Sequence, residues 1–474
     1  MAGLLAGLAY LSYPNININM FKRKNIKIKK SKIKEAEEKE KKTGVLFSRL
    51  KGMKDILFDE YKYWDLVIKK ATELARAYGF RRIETPVLEN TKLYERASGK
   101  SSDIVTKEMY TFIDKNGEKI SLRPEATPSL VRTYIEHGMF NLPQPVKMFW
   151  LGPIFRHEKP QAGRYRQSFQ FDLEIFGEEA PVADVLLILL AYNFFCELQV
   201  NVQIQINSIG CEECRREYLA KLLEFYKERR RRSKLCGDCK KRIVKNPLRL
   251  LDCKEEKCLE AREEAPQIVD YLCDSCREHF IKVLEYLDEL DINYNLNPYL
   301  VRGLDYYNRT VFEIWAVEEE GATSGKLALG GGGRYDGLVK YMGGRPTPAC
   351  GFAVGIERTI TKIREKNIPL KSEEGDLIFL AQLGEQARRK AFVMFEELRR
   401  AGFKIRQAFT KDSLKAQLEE ANRIGAKFSL ILGQKEVMDG TILFRDMDSG
   451  IQEIVNQKKI KEEIEKKINL SKGK

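Results

Sequence analysis

The chain has 474 residues, 43% of them hydrophobic and 32% charged, with a net charge of +14. At about 150 residues per domain this suggests roughly three domains, and a chain this long can bury several cores without disulfide staples. No run of 18 apolar residues occurs, which excludes a membrane-spanning helix, and only three histidines (His137, His157, His279) speak against multi-histidine metal centres.

The positive charge is concentrated in three places. Phe21–Lys42 carries 11 Lys/Arg against 4 Glu, Lys227–Lys245 carries 10 against 2 acidic residues, and Asn456–Lys474 carries 7 against 3. A slightly acidic body with basic appendages suits a protein that holds a polyanion on added surfaces, with inert solvated Lys-rich termini as the alternative.

Residues 1–44 read as a basic N-terminal extension, unable to build a core and expected to be disordered, or as sequence upstream of a start at Met20. Met1–Tyr13 has no cationic stretch before it and makes a poor secretory signal. Globular patterning starts near Arg49. Tyr61–Tyr78 reads as an amphipathic helix stopped by Gly79, followed by a short strand over Arg82–Leu88 whose Pro86 assigns it to an edge or interface. Lys115–Asn116–Gly117 marks a hairpin between Glu108–Asp114 and Glu118–Arg123. Lys147–Arg156 and Gln167–Phe176 read as two more strands, with a buried helix over Val185–Cys196. Antiparallel strands with separate helices predict an α+β core. Beyond it, Leu377–Leu383, Phe403–Arg406 and Phe428–Leu432 alternate with helical patterns at Glu385–Arg400 and Ser413–Ile424, which predicts an α/β domain with a largely parallel sheet. The Gly440 turn then adds a hairpin strand at Thr441–Arg445.

Three segments could carry chemistry. Gly152–Gln167 ends a strand at Arg156, places Glu158 two residues on, and returns with Arg164 and Arg166. Fixed guanidinium groups around a hairpin loop form a candidate triphosphate clamp. Gly330–Gly333, followed by Arg334–Tyr335–Asp336–Gly337, matches neither the phosphate loop nor the dinucleotide fingerprint, and implies only a close backbone approach. Cys350–Arg358 is a small-residue strand leading into a helix, with Arg358 near its start, where positive field favours an anion.

In this order the segments resemble a class II aminoacyl-tRNA synthetase, with Pro86, Phe155–Glu174 and Gly351–Arg358 as its three motifs. Leu300–Glu313 (LVRGLDYYNRTVFE) and Gly331–Leu338 (GGGRYDGL) resemble the signature peptides of the histidyl-tRNA synthetase family, and Leu122–Thr127 (LRPEAT) its substrate loop. The resemblance spans about Arg49 to Val455. It implies an antiparallel catalytic core, an inserted module, a C-terminal α/β anticodon-binding domain, a homodimer, a cytoplasmic location, and histidine, ATP with Mg²⁺, and histidine tRNA as substrates. By the same resemblance, Arg156 holds the α-phosphate and substrate carboxylate, Glu158 adenine, and Arg164 and Arg358 the triphosphate. Glu125, Thr127 and Gln170 take the histidine ammonium, Glu174 and Tyr307 the imidazole, and Tyr306 and Tyr335 line the pocket. Arg302 is the catalytic arginine. Fixed guanidinium groups suit a reaction that brings a carboxylate onto a phosphoryl group. The family has an aromatic residue stacking on adenine where this chain has Ser168; either Phe169 takes over or the stacking weakens. The Gly52–Leu57 peptide is also followed by Phe58 where a proline is common.

Eight of the ten cysteines fall between 211 and 276, as Cys211/Cys214, Cys236/Cys239, Cys253/Cys258 and Cys273/Cys276. Three C-x-x-C pairs and one C-x₄-C suffice for up to two tetrahedral Zn²⁺ sites, with reduced, semi-buried cysteines as the alternative. The expected domains are 45–206 and 298–370 for the catalytic core, 207–297 for the Cys-rich insertion, 371–455 for anticodon binding and 456–474 for a basic tail. Two rival readings are a non-catalytic paralogue that regulates ATP phosphoribosyltransferase, and an RNA-binding zinc protein. The first usually lacks both the C-terminal domain and an arginine at position 302.

Overall fold

The computed structural model describes residues 47–99, 102, 104–159, 163–317, 328–368 and 376–472. The N-terminal extension 1–44 and the charged linker Lys371–Gly375 lie outside the described residues. The chain forms two compact units, divided after Ile368.

The first unit is built on an eight-stranded sheet in the order 81–82, 146–155, 167–176, 349–355, 328–334, 308–316, 202–208, 294–296. The inner strands pair antiparallel, and only the two outermost strands pair parallel with their neighbours. Residues paired across antiparallel strands share a face, and neighbours along a strand take opposite faces. One face therefore presents Phe149, Phe171, Leu173, Phe352, Val354, Phe312 and Ile314, all buried in the main core under the helices Phe58–Ala77, Val182–Glu197 and Ile356–Glu365. The apolar run 185–196 is a buried helix because it lies across the middle of this layer. The opposite face presents Ser168, Gln170, Asp172 and Glu174 beside Gly331, Gly333, Gly351, Gly355 and Glu313. Burying one face leaves the other for chemistry.

The strand expected over Arg82–Leu88 is two strands in different sheets. Arg81–Arg82 lies at the edge of the large sheet, and Leu88–Asn90 joins a three-stranded sheet with 111–113 and 119–122. Pro86 has no N–H for a ladder and sits in the break. The hairpin forms as the sequence indicates: Gly117 takes φ +85°, and the Asp114 carboxylate accepts the N–H groups of Asn116 and Glu118.

The insertion is helical (212–227, 229–234, 237–245, 256–263) but is not a detached module. Its last helix, Asp274–Glu289, buries Phe280, Val283 and Leu287 in the main core, and Tyr294–Leu296 pairs with Ile204–Ile206 in the large sheet. The second unit has a five-stranded sheet in the order 405–407, 378–382, 428–432, 441–446, 452–456, its first three strands parallel. The segment expected to be a basic tail is folded. Ile460–Lys472 is a helix, and Ile460 and Ile464 are buried in the core of this unit because its apolar residues recur every three to four positions.

Candidate active site

The expected histidine-site residues meet in one buried network on the polar face. Glu174 accepts a hydrogen bond from Thr127 Oγ1 at 2.7 Å and another from the Tyr335 hydroxyl. Glu125 accepts from Ser98 Oγ and, at 2.9 Å, from the Tyr306 hydroxyl. The rings of Tyr306, Tyr307 and Tyr335 form a triangle with centroids 4.7–6.3 Å apart. Gln170 lies half-buried on the same face as Glu174, two strand positions beyond Asp172. Burial pushes Glu174 up to about 8 and raises Glu125, which the Ser98 hydrogen bond and then the Arg156 guanidinium partly offset. A carboxyl titrating near neutrality can either accept from or donate to an imidazole nitrogen.

Glycines clear the floor beneath this network. A Cβ on Gly351 would stand 2.5 Å from Glu174 Cδ, and one on Gly331 would stand 2.7 Å from Arg302 Nη1. Within the Gly330–Gly333 run, Gly331 clears the floor for Arg302, whereas a Cβ on Gly330, Gly332 or Gly333 would run into the paired strands, first at the carbonyls of Ala353, Gly351 and Thr310. Arg302 lies in the irregular stretch 301–307 with Nη1 2.6 Å from Glu313 Oε1, while its buried Nε has no partner among the described residues. Burial opposes its charge, and Glu313 together with Tyr307 and Tyr306 more than offsets this, so its affinity for its proton rises.

Arg156, Arg164 and Arg358 form the second cluster. Arg156 Nε is held by the carbonyl of Pro124 at 2.7 Å, which ties the motif strand to the peptide carrying Glu125 and Thr127. Arg358, at the start of its helix, donates to the carbonyls of Gly163 (3.1 Å) and Ala328 (2.7 Å). Burial first, then repulsion from Arg164, lowers Arg358, with Arg156 acting in the same sense. Three guanidinium groups close enough to repel one another, with Glu158 Oε2 3.1 Å from Arg164, make a receptor for a multiply charged anion. Arg166, also in the loop, donates weakly to the Glu158 carbonyl.

Phe169 cannot replace an aromatic residue at position 168. It faces the helical layer, edge-on to Trp64 at 5.1 Å, and its N–H donates to Glu357. The two-residue period of the strand puts Ser168 alone on the site side. Sequence reading also missed Ser98, Asp172, Glu313 and Asp184. Asp172 is fully buried between the two clusters and raised well above its ordinary value by burial, then by Glu174. Asp184 holds the buried Arg334, which also donates to the Glu178 and Ala180 carbonyls and so fixes the neighbouring Tyr335. The alternation of carboxylates at 172 and 174 was a signal that Asp172 shared the site face. Nothing local marked Asp184, which comes from a distant helix.

The family profile described as histidyl-tRNA synthetase matches residues 52–359, and one described as anticodon binding domain matches 374–467. The chain belongs to the histidyl-tRNA synthetase family. A histidine–tRNA ligase of Dehalococcoides mccartyi is 44% identical over 424 residues, 89% of this chain and all of that one. One of Desulforudis audaxviator is 46% identical over 413 residues, 86% of this chain and 96% of that one. The crystal structure of the apo Staphylococcus aureus histidyl-tRNA synthetase superimposes with a TM-score of 0.75 at 32% identity, covering 88% of this chain and all of the other. The class II α+β fold and the ligase activity follow from membership, and the profile of the second unit makes it the anticodon-binding domain.

Within this synthetase fold the eight insertion cysteines are gathered into two sets. Cys211, Cys214, Cys273 and Cys276 form one, and Cys236, Cys239, Cys253 and Cys258 the other, with all sulfurs of a set within 4.8 Å of one another.

Proposed function

We propose that the chain activates L-histidine with ATP, giving histidyl-adenylate and pyrophosphate, and then moves the histidyl group to the 3′ end of histidine tRNA. The observation that carries this is a buried carboxylate–tyrosine pocket beside a three-arginine cluster on one glycine-cleared sheet face. In this reading a histidine carboxylate oxygen attacks the α-phosphorus and pyrophosphate leaves. Arg156 and Arg302 lie where negative charge gathers in that step, and Arg164 and Arg358 hold the triphosphate. Glu158, already paired with Arg164, is the adenine contact. Glu125, Thr127 and Gln170 face the ammonium; Glu174 and Tyr307 take the ring nitrogens, with Tyr306 and Tyr335 as walls. Hydrogen-bonding both nitrogens rejects analogues strongly, because they leave buried groups unpaired. A hydroxyl of the terminal adenosine then attacks the activated carbonyl, and AMP leaves.

Mg²⁺ enters this scheme on the nucleotide. Among the described residues the grouped metal donors are all cysteines, and Mg²⁺ commonly binds through phosphates, water and one or two carboxylates. The insertion cysteines are assigned to Zn²⁺, for which thiolate tetrads are well suited. Homodimerisation is supported by the exposed Val87, Leu88, Phe112 and Ile113, on and beside the three-stranded sheet. In the second unit, Arg399, Lys404 and Arg406 with Phe395 and Phe403 line a cavity of about 900 Å³ and offer charge and aromatic surface to RNA. No helix among the described residues is long and apolar enough to cross a membrane, and the cytoplasm is where these substrates meet. Histidine-dependent ATP–pyrophosphate exchange tests the first step, and charging of histidine tRNA the second. Absence of exchange, with ATP still bound, would favour the regulatory paralogue.

A further inference from the structure

Residues close in sequence to both cysteine sets touch the irregular loop 301–307, which carries Arg302 and Tyr307 and has no helix or strand of its own. The sulfurs are already near tetrahedral spacing: Zn–S bonds of about 2.3 Å place sulfurs about 3.8 Å apart, and Cys211–Cys214 and Cys236–Cys253 stand at 3.5 and 3.9 Å. Backbone N–H groups point at the sulfurs, from Cys273 to Cys214, from Cys236 to Cys258 and from Cys239 to Cys236. The pairing is nested, the outer two pairs forming one set and the inner two the other.

Each set is a short step from a contact on the loop. Arg215, next to Cys214, donates to the Tyr307 carbonyl at 2.9 Å. On the other side, Asp252, next to Cys253, pairs with Arg249, whose guanidinium lies against Gly303, and Asn246 donates to Asp305 at 2.7 Å. Between these contacts a cavity of about 420 Å³ lies between loop and insertion, so on that side the loop meets the insertion through these polar contacts, while Val301 and Tyr307 are buried in the core.

We infer that two Zn²⁺ ions, one per nested set, brace this loop and thereby position Arg302 and Tyr307 for histidine activation. The inference rests on zinc being the resident metal of the insertion. Each ion clamps the segment carrying a brace: the first fixes Arg215, and the second fixes 246–252 through Cys253. In this role Arg215 and Asn246 are positioning residues.

Elemental analysis of the full-length protein should find two Zn²⁺ per chain. The double variant Cys211→Ser/Cys273→Ser, within one set, should lose one ion, and Cys211→Ser/Cys236→Ser, across the sets, should lose both. A zinc-free wild type overturns the metal assignment, and two ions lost in the first variant with one in the second overturn the pairing. If the serine variants do not accumulate, Co²⁺-substituted wild type reads the same point. Thiolate-to-cobalt absorption saturating at two equivalents supports two tetrads, and saturation at one overturns them. Arg215→Ala and Asn246→Ala leave every cysteine in place. Each should keep two ions and the wild-type KM for ATP while losing about tenfold in kcat/KM for histidine in exchange. Unchanged histidine kinetics with both ions bound would overturn the brace alone, and a wild type inactive in exchange would count against the ligase reading instead.

Discussion

Gly351→Ala should damage histidine recognition while leaving ATP recognition alone. The added methyl would lie 2.5 Å from Glu174 Cδ and 2.7 Å from the Leu173 carbonyl, with Glu174 Oε2 closer still. The carbonyl belongs to a paired strand and can yield only by a few tenths of an ångström, and the Glu174 carboxylate must swing away until its Oε2 has moved by about 2 Å to reach ordinary contact. That movement breaks its hydrogen bonds from Thr127 and Tyr335. Two bonds at about 1 kcal/mol each, with an overpacking cost of about 1 kcal/mol, give a stability loss of about 3 kcal/mol. All three tryptophans (Trp64, Trp150, Trp315) lie in the first unit, so tryptophan fluorescence during urea unfolding reports this loss without interference from the second. In exchange assays, kcat/KM for histidine should fall between tenfold and a hundredfold, the equivalent of about 1.4–2.8 kcal/mol of misplaced imidazole contacts. KM for ATP should stay within twofold, since the atoms nearest the added methyl belong to Glu174 and Leu173 and not to a guanidinium group. Gly337→Ala is the control: among the described residues nothing lies within 4 Å of a methyl added there, and its φ of −82° suits alanine. A Gly351→Ala protein with wild-type histidine kinetics and stability would show that Glu174 has room to move, and would refute its role as a fixed wall of the pocket.

Arg302→Ala should fold and lose about 3 kcal/mol of transition-state stabilisation, mostly in kcat for exchange; activity within a few-fold of wild type would remove Arg302 from the chemistry. Histidine binding should release a proton near pH 7, because a bound ammonium lowers both Glu125 and Glu174, and release should fade above pH 9; calorimetry in buffers of differing ionisation enthalpy measures it. Glu174 also bears on stability. With its folded value near 8 against an ordinary 4.5, its contribution is complete below pH 4.5 and lost as pH rises through 8, so Glu174→Gln should flatten the urea midpoint over that window. Ile464→Ala should cost the second unit about 2–5 kcal/mol and reduce tRNA charging while exchange continues; equal charging would show that the final helix is dispensable for holding tRNA.

Where local signals were strong, the site was legible along the chain. Arg156 and Glu158 stand at a strand end, as the alternation of Lys147–Arg156 indicated, and Gln167–Phe176 is a strand over the range read from its pattern. Glycine density at 330–333 announced a close approach without saying what approaches. The structure names it as Arg302 over Gly331, a meeting of segments that no short-range pattern encodes. The reading of 456–474 as a tail went astray because charge dominated its composition, although two buried isoleucines four residues apart decide its packing.

By itself the sequence determined what depends on spacing along the chain: strand and helix periods, the turn at Gly117, the four cysteine pairs and the signature peptides. Tertiary structure alone decided what depends on distance through space. It put Phe169 on the core side and Ser168 on the site side by register, split the Pro86 strand between two sheets, and matched the cysteine pairs outer with outer and inner with inner. It also brought Asp184 under Arg334, because a buried guanidinium needs a carboxylate and the helix crossing the sheet supplies one.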